Sequence, residues 1–418
     1  MPSILIKSIK TLVQVGDQNK HTTRLAAPVK GADMKTLPQL ENAWLLIQDG
    51  LIHDYGTMEN CPENADQIID ASGRMVFPGW CDSHTHIVYA GSRESEFVDR
   101  INGLSYKEIA EKGGGILNSA KQLSNTSEDD LVEQAYTRLE EIIGFGTALV
   151  EIKSGYGLSV KDELKMLRVI RRLKGMTKLN IKSTFLGAHA FPAIYKENQE
   201  EYMDLILNKM LPQIAAEGLA DYVDAFCEKG FFSVEQTERI MEAASKFGLK
   251  SKIHTNQFNC MGGIQASVKH GAISVDHLEV VNDEEIACLL GAETMPTLLP
   301  SAPFFINDHY PPARKMIDAG LPVALATDFN PGSTPSGKMA FVVSLACINM
   351  KMTPEEAINA ATINGAVALE SQTTFGSIEK GKTGSVFITK RIPSIAFLPY
   401  SFGSNLVEKV ILKGELIS

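Results

Sequence analysis

The sequence predicts an α/β protein, a (β/α)8 barrel carrying a small composite β domain, and three observations support this. Between residues 79 and about 330, short apolar segments alternate eight times with amphipathic ones. Both ends of the chain instead read as β text. With 418 residues, 44% hydrophobic and 22% charged, the chain has an ordinary globular composition and the length for one large core plus a small second domain.

Taken in order, the first 75 residues are β-rich, and "AWLLIQDGLIHDYG" places two apolar runs around Asp49-Gly50, a strong hairpin signal. His53 reads there as an ordinary strand residue. The eight barrel strands are expected in "GWCDSHTH", "TALVEIK", "IKSTFLGAH", "DYVDAFCE", "LKSKIHTN", "AISVDHLE", "GAETMPTLL" and "LPVALATDF". Helix signals lie between them: Ser233 with Gln236 forms a capping box before a helix ending near Gly248, and Asn282 caps a segment with Asp283, Glu284 and Glu285 in its first turn. After the eighth strand "SGKMAFVVSLACINM" and "TPEEAINAATINGAVALE" continue the helical pattern, with Pro354 at a first-turn position. "GSVFITK" and "VEKVILKGELIS" return to β alternation, the latter around Lys413-Gly414. The termini of a closed barrel can meet on one side, so the end strands are expected to pair into a β-sandwich domain. The division is 1–75 and 375–418 for the β domain and 76–374 for the TIM-like barrel.

A formal charge of -10 disfavours polyanionic partners, so nucleic acid and membrane surfaces give way to a small-molecule substrate. Cys61, Cys81, Cys227, Cys260, Cys288 and Cys347 lie far apart with no CxxC, which fits neither a disulfide framework nor a zinc finger; most read as small core residues. Lys7 and Lys10 interrupt the apolar N-terminus, and no run approaches the ~18 apolar residues of a membrane span. A reducing, cytoplasmic setting is expected.

Catalytic groups of such barrels sit at the C-terminal strand ends. Here those ends carry His84 and His86, then Lys153 and Tyr156, His189, Glu228, His254, His277 and, on the eighth, Asp328. Five of the nine histidines fall on this one rim. Each alone is better read as a core or surface residue, and only the joint placement points to chemistry. In a strand, His84 and His86 would face one side about 6.8 Å apart and reach one ion at ~2.1 Å. With His254 and Asp328 they make a nitrogen and carboxylate set suited to Zn or Fe. Such an ion lowers the pKa of water towards ~7, so hydrolysis is the expected chemistry.

At this point the residues resemble a family. "PGWCDSHTH", "KIHTNQF", "SVDHLE" and "ALATDFNPG" are similar to the amidohydrolase superfamily. "HTHIVYAGSRESEF", "EIKSGYGL", "FLGAHA" and "ATDFNPGS" most resemble its imidazolonepropionase family, over nearly the whole chain. The resemblance implies ring-opening hydrolysis of 4-imidazolone-5-propanoate to N-formimidoyl-L-glutamate in histidine degradation, one divalent or trivalent metal ion, and a homodimer. It implies His84, His86, His254 and Asp328 as metal ligands, and His277 with Asp328 as the pair handling the attacking water. Arg93, Tyr106, Tyr156, His189 and Gln257 are the implied substrate contacts, with Asn330, Gly332 and Ser333 in the loop around the product. A guanidinium suits a bidentate grip on a propanoate carboxylate. The plainer reading of Arg93 is an ion pair with Glu94 or Glu96, and of Tyr156 a packed residue in the Gly-flanked turn "SGYG".

Two absences sharpen the expectation. Two-metal members of the superfamily need a bridging lysine, where the fourth strand here ends in Glu228; Lys229 should face away and Lys153 lies on the second strand. Pyrimidine deaminases carry a proton-shuttling Glu three residues after the fifth-strand histidine, where this chain has Gln257, and an amide cannot exchange that proton. A purine, pterin or pyrimidine deaminase on the same scaffold and a catalytically dead scaffold barrel are the alternatives. His270 reads as a helix end, His309 as solvated and His21 as loop.

Overall fold

The computed structural model describes residues 3–16, 27–104, 108, 112 and 114–417; Tyr106 and His21 lie outside the described residues. Strands β1 (Ile4–Val13), β2 (Gln39–Gln48), β3 (Leu51–Thr57), β4 (Gln67–Asp70) and β5 (Arg74–Pro78) come first. The eight barrel strands are β6 (Trp80–Asp82), β7 (Thr147–Lys153), β8 (Asn180–Ala188), β9 (Tyr222–Cys227), β10 (Lys250–Thr255), β11 (Ser274–His277), β12 (Met295–Leu298) and β13 (Ala324–Leu325). The last three are β14 (Val386–Arg391), β15 (Val407–Leu412) and β16 (Glu415–Leu416).

The ends of the chain build one mixed sheet in the order β16-β15-β14-β5-β1-β2-β3, with β4 also on β1. Its join is β5 against β14, with Phe77 opposite Phe387, so β5 straddles the boundary expected at residue 75. Asp49 and Gly50 both have positive φ (52° and 80°), the type I′ geometry whose twist matches a two-residue hairpin. Lys413 and Gly414 (49° and 74°) turn β15 into β16 in the same way. Ile4, Ile6, Leu45, Ile47, Ile388 and Ile411 give the sheet a core of its own. It meets the barrel where the Phe387 ring stacks on Phe77, centroids 5.2 Å apart, and lies 5.0 Å from Trp80.

In the barrel every strand is parallel to its neighbours, in chain order from β6 to β13. These strands are buried almost throughout, which is why they read as apolar runs. Closure differs from the expected pattern. β6 stops at Asp82 and β13 covers only Ala324–Leu325, so His84, His86 and Asp328 stand beyond the strands proper. The chain stays extended there through a parallel bridge, Thr85 to Phe329: Asp328 N donates to His84 O (3.0 Å) and His86 N to Phe329 O (2.8 Å). The seam that closes the barrel therefore carries three of the four metal-type residues, and His254 stands on β10.

The expected capping boxes at Ser233/Gln236 and Asn282/Glu285 are present, and a third, Thr353/Glu356, starts the helix with Pro354 in its first turn. That helix breaks at Thr362, and a second runs Ile363–Val367. Asn364 bonds Val29 N, Val29 O and Val323 O across the barrel floor, a tertiary demand that periodicity does not reveal. All six cysteines are free, but only Cys81 and Cys227 are buried and Cys260 is exposed, which corrects the expectation that most are core residues. Among the described residues no helix is long and apolar enough to cross a membrane.

Candidate metal centre and active site

The strand ends bring the histidines together. His84 Nε2 and His86 Nε2 lie 3.3 Å apart, and Asp328 Oδ1 is 3.6 and 3.5 Å from them. His254 completes the group: ligand atoms of His84, His86 and His254 all fall within 4.8 Å of one another. Two donors bound to one ion at ~2.1 Å and a tetrahedral angle stand about 3.4 Å apart. The His84–His86 separation fits that spacing. His84 Nδ1 faces Asp276 Oδ2 at 2.7 Å, and His254 Nδ1 faces Asp224 Oδ2 at 2.7 Å. With carboxylates accepting, the Nδ1 atoms carry the protons and the Nε2 lone pairs turn to the shared space. Burial, aided by positive neighbours, lowers the pKa of all three histidines well below the usual value, so they are neutral and able to ligate.

A second acidic grouping, His84 with Glu151 and Asp276, has comparable spacing. Its space belongs to the Lys153 ammonium, 2.9 Å from Glu151 Oε1 and 3.7 Å from Asp276 Oδ2. The spacing of His84, His86 and His254, with Asp328 beside them, thus suits a single ion.

His277 and Asp328 sit in left-handed backbone at φ 91° and 56°, conformations that persist where surroundings over-determine them. His277 Nδ1 meets Glu279 Oε1 at 3.2 Å. Burial lowers the His277 pKa, but the Glu279 carboxylate, then Asp328 and Asp276, outweigh it and raise the value to about 9. Burial pushes Asp328 up to about 6. At neutral pH the pair is an imidazolium beside a carboxylate. Ser333 Oγ donates to Asp328 Oδ2 (3.2 Å), and the Asn330 amide organises the loop: Oδ1 accepts from Gly332 N and Ser333 N, while Nδ2 donates to Asp328 O.

Above the cluster opens a cavity of about 610 Å³. His86, Arg93, Tyr156, His189, His254, Gln257, His277, Asp328, Asn330, Gly332 and Ser333 all line it. His84 lies outside that lining, fully buried. Arg93 makes the expected ion pair with Glu96 and also lines the cavity. Its Nε donates to Glu96 Oε2 (2.8 Å) and its Nη2 to the same oxygen, yet it lines the cavity with Nη1 against Gly332. His189 Nδ1 faces Gly155 O at 3.0 Å, which leaves Nε2 as an acceptor. Tyr156 sits in the expected turn, which Glu163 holds by accepting from Gly155 N, Gly157 N and Leu158 N, and its ring is buried in the cavity wall. Glu228 accepts from Phe258 N and from Asn259 N and Nδ2, fixing the loop that bears Gln257.

Several groups escaped the sequence analysis. Asp224 and Asp276 are acids inside otherwise apolar strands, and that oddity was the available signal. Glu279 follows His277 by two residues. Phe226 and Arg100 line the cavity without any sequence pattern that marks them.

Comparison with known proteins extends this picture. The amidohydrolase family model matches residues 75–417. The chain is 62% identical over 414 residues to an imidazolonepropionase of Flavobacterium johnsoniae, covering 99% of both chains. Against one of Christiangramia forsetii the identity is 59% over 416 residues, 99% of this chain and 100% of that one. Among solved structures, a triazine hydrolase variant superposes with a TM-score of 0.76 at 16% identity over 99% of this chain and 94% of that one. An adenosine deaminase from Xanthomonas campestris with bound zinc gives 0.68 at 14% over 99% and 92%. At those identities the structural likeness concerns the fold.

Proposed function

Since the chain belongs to the amidohydrolase family, and within it to the imidazolonepropionases, it is a hydrolase acting on C–N bonds, and we propose that it opens the ring of 4-imidazolone-5-propanoate to N-formimidoyl-L-glutamate. The observation that carries this reading is the meeting, in one cavity, of a metal-type cluster and a guanidinium. One ion, Zn or Fe, would be held by His84, His86, His254 and Asp328, and when bound it polarises the ring carbonyl and acidifies a water.

The remaining work falls to the chain. Asp328, ionised at neutral pH and placed at the cavity floor, accepts the proton of the attacking water. His277, protonated and oriented by Glu279, offers a donor to the reacting oxygens and so steers that water. The cleaved ring amide becomes a carboxylate, and the freed nitrogen stays in the product as the formimidoyl group. Gln257 can hydrogen-bond the ring but exchanges no proton, so the proton held by Asp328 is the one for the leaving nitrogen.

Arg93 grips the propanoate carboxylate. Tyr156 and His189 flank the ring, and Asn330, Gly332 and Ser333 border the product. A homodimer, which the family resemblance supports, belongs to the same reading and is tested by light scattering of the purified chain. A panel of imidazolone propanoate, other cyclic amides and aminated heterocycles tests the reaction itself. Turnover of the imidazolone without ammonia release is expected. Ammonia released from an aminated ring, with the imidazolone untouched, would establish the deaminase reading instead.

A further inference from the structure

Beneath the histidines lies a second tier of side chains that the mechanism above does not use. Glu151, Lys153, Lys252 and Asp276 have no exposed surface, and Asp224 is 1% exposed. Burying charges is costly unless each is compensated and hydrogen-bonded. Here the compensation is arranged around Lys153.

Its Nζ stands 2.8 Å from Asp224 Oδ2, 2.9 Å from Glu151 Oε1 and 3.7 Å from Asp276 Oδ2. Asp224 Oδ2 is the atom facing His254 Nδ1, and Asp276 Oδ2 the atom facing His84 Nδ1. One ammonium therefore contacts the oxygen that orients His254 and stands 3.7 Å from the one that orients His84. Lys252 also reaches Asp276, through Ser274 Oγ, which donates to Asp276 Oδ1 (2.6 Å), but makes no ion pair or hydrogen bond with Asp224 among the described residues. It donates to Ser274 Oγ (2.8 Å) and Ala368 O (3.1 Å), with Glu151 Oε2 at 3.7 Å and Asp276 Oδ2 at 4.0 Å.

We infer that Lys153 is a positioning residue that sets His84 and His254 for metal binding through Asp276 and Asp224. Asp224 Oδ2 cannot swing from His254 without also leaving the ammonium, and Asp276 Oδ2 lies within ion-pair distance of the same charge. Strand β7 thus couples the ligand on β10 to the ligand beyond β6, although it supplies no ligand itself. The ammonium is engaged by Glu151 and Asp224, which separates this role from that of a lysine bridging two ions. The inference rests on the single-ion reading above.

The test measures Zn2+ affinity of the full chain by competition with a chelating dye, with circular dichroism of the metal-free protein as the check on folding. Lys153→Met should weaken Zn2+ binding about 10- to 100-fold, the range found when groups behind a metal ligand are removed. Lys252→Met, an equal loss of buried charge that leaves Asp224 and His254 untouched, should change it less. If Lys153 acts through Asp224, the Lys153→Met/Asp224→Asn double variant should lose less than the product of the single losses. Should Lys153→Met not fold, Lys153→Gln, which keeps donors without the charge, carries the same comparison. Wild-type affinity in the Lys153 variant, equal losses for both lysines, or fully multiplicative losses would overturn the inference. Wild-type protein that takes up no Zn2+ would instead overturn the metal reading beneath it, and this inference with it.

Discussion

Arg93 donates from Nε and Nη2 to Glu96 Oε2, and the other Glu96 oxygen accepts from Gly115 N at 2.9 Å. The carboxylate is thus fixed on both sides, and the ion pair uses one edge of the guanidinium. The end of the fork, Nη1 with the second Nη2 proton, is the two-donor edge that matches a carboxylate. Structural pairing and substrate binding are compatible uses of one arginine. Arg93→Ala should cost about 1.5 to 3 kcal/mol of charge-assisted bonding, roughly a ten- to hundredfold rise in KM. A neutral amide analogue of the substrate should scarcely notice the change, and steady-state kinetics on both compounds checks this. Equal losses for both would assign Arg93 to structure alone.

Gly332 faces the same guanidinium, and a Cβ there would run into Arg93 Nη1. Gly332→Ala should therefore displace the arginine rather than the metal cluster. Overpacking of this kind costs about 1 to 3 kcal/mol, to be read as a KM increase with Zn2+ affinity unchanged. In an Arg93→Ala background the same substitution should add little. A full second loss there would mean that Gly332 acts on something else.

Glu279 is buried and holds His277 Nδ1. Removing the carboxylate deletes the main cause that raises the His277 pKa to about 9, so in Glu279→Gln the value falls towards the ordinary ~6.5. The protonated form is then lost at lower pH, and the alkaline fall of kcat should move down from near 9 towards neutrality. His277→Ala should lower kcat by roughly 10²- to 10⁴-fold at every pH. A Glu279→Gln profile superimposable on wild type would remove protonated His277 from the account.

Chelation should abolish turnover, and added Zn2+ should restore it. An ion that binds only the folded chain stabilises it by about 2.7 kcal/mol at a free concentration of 100 Kd, so the metal-free protein should also melt earlier in calorimetry. Asp328→Asn should lose activity by several orders of magnitude, since one change weakens a ligand and removes the proton acceptor. Full activity in the chelated protein would contradict the mechanism.

Much of this site was legible in the sequence because barrels gather chemistry at one rim, and strand ends are easy to read in fully buried parallel strands. His84, His86, His254, His277 and Asp328 were found in that way. The local geometry was harder to read. Strand alternation placed His84 and His86 on one face, whereas β6 ends at Asp82 and the pair is positioned by the Thr85 to Phe329 bridge. Lys153, Asp224 and Asp276 could not be connected from spacing, because β7, β9 and β11 lie far apart in the chain and meet only when the barrel closes. From sequence, pairing of Arg93 with Glu96 reads as a rival to substrate binding, and only the geometry shows that the pair leaves one edge of the guanidinium for a carboxylate.

The central claim is that the metal cluster and Arg93 face one substrate. Its most direct test is anomalous diffraction at the metal edge from a crystal soaked with N-formimidoyl-L-glutamate. A single anomalous peak is expected among His84, His86, His254 and Asp328, with the side-chain carboxylate of the product on the Arg93 guanidinium. A peak elsewhere, or a product whose carboxylate lies away from Arg93, would contradict it.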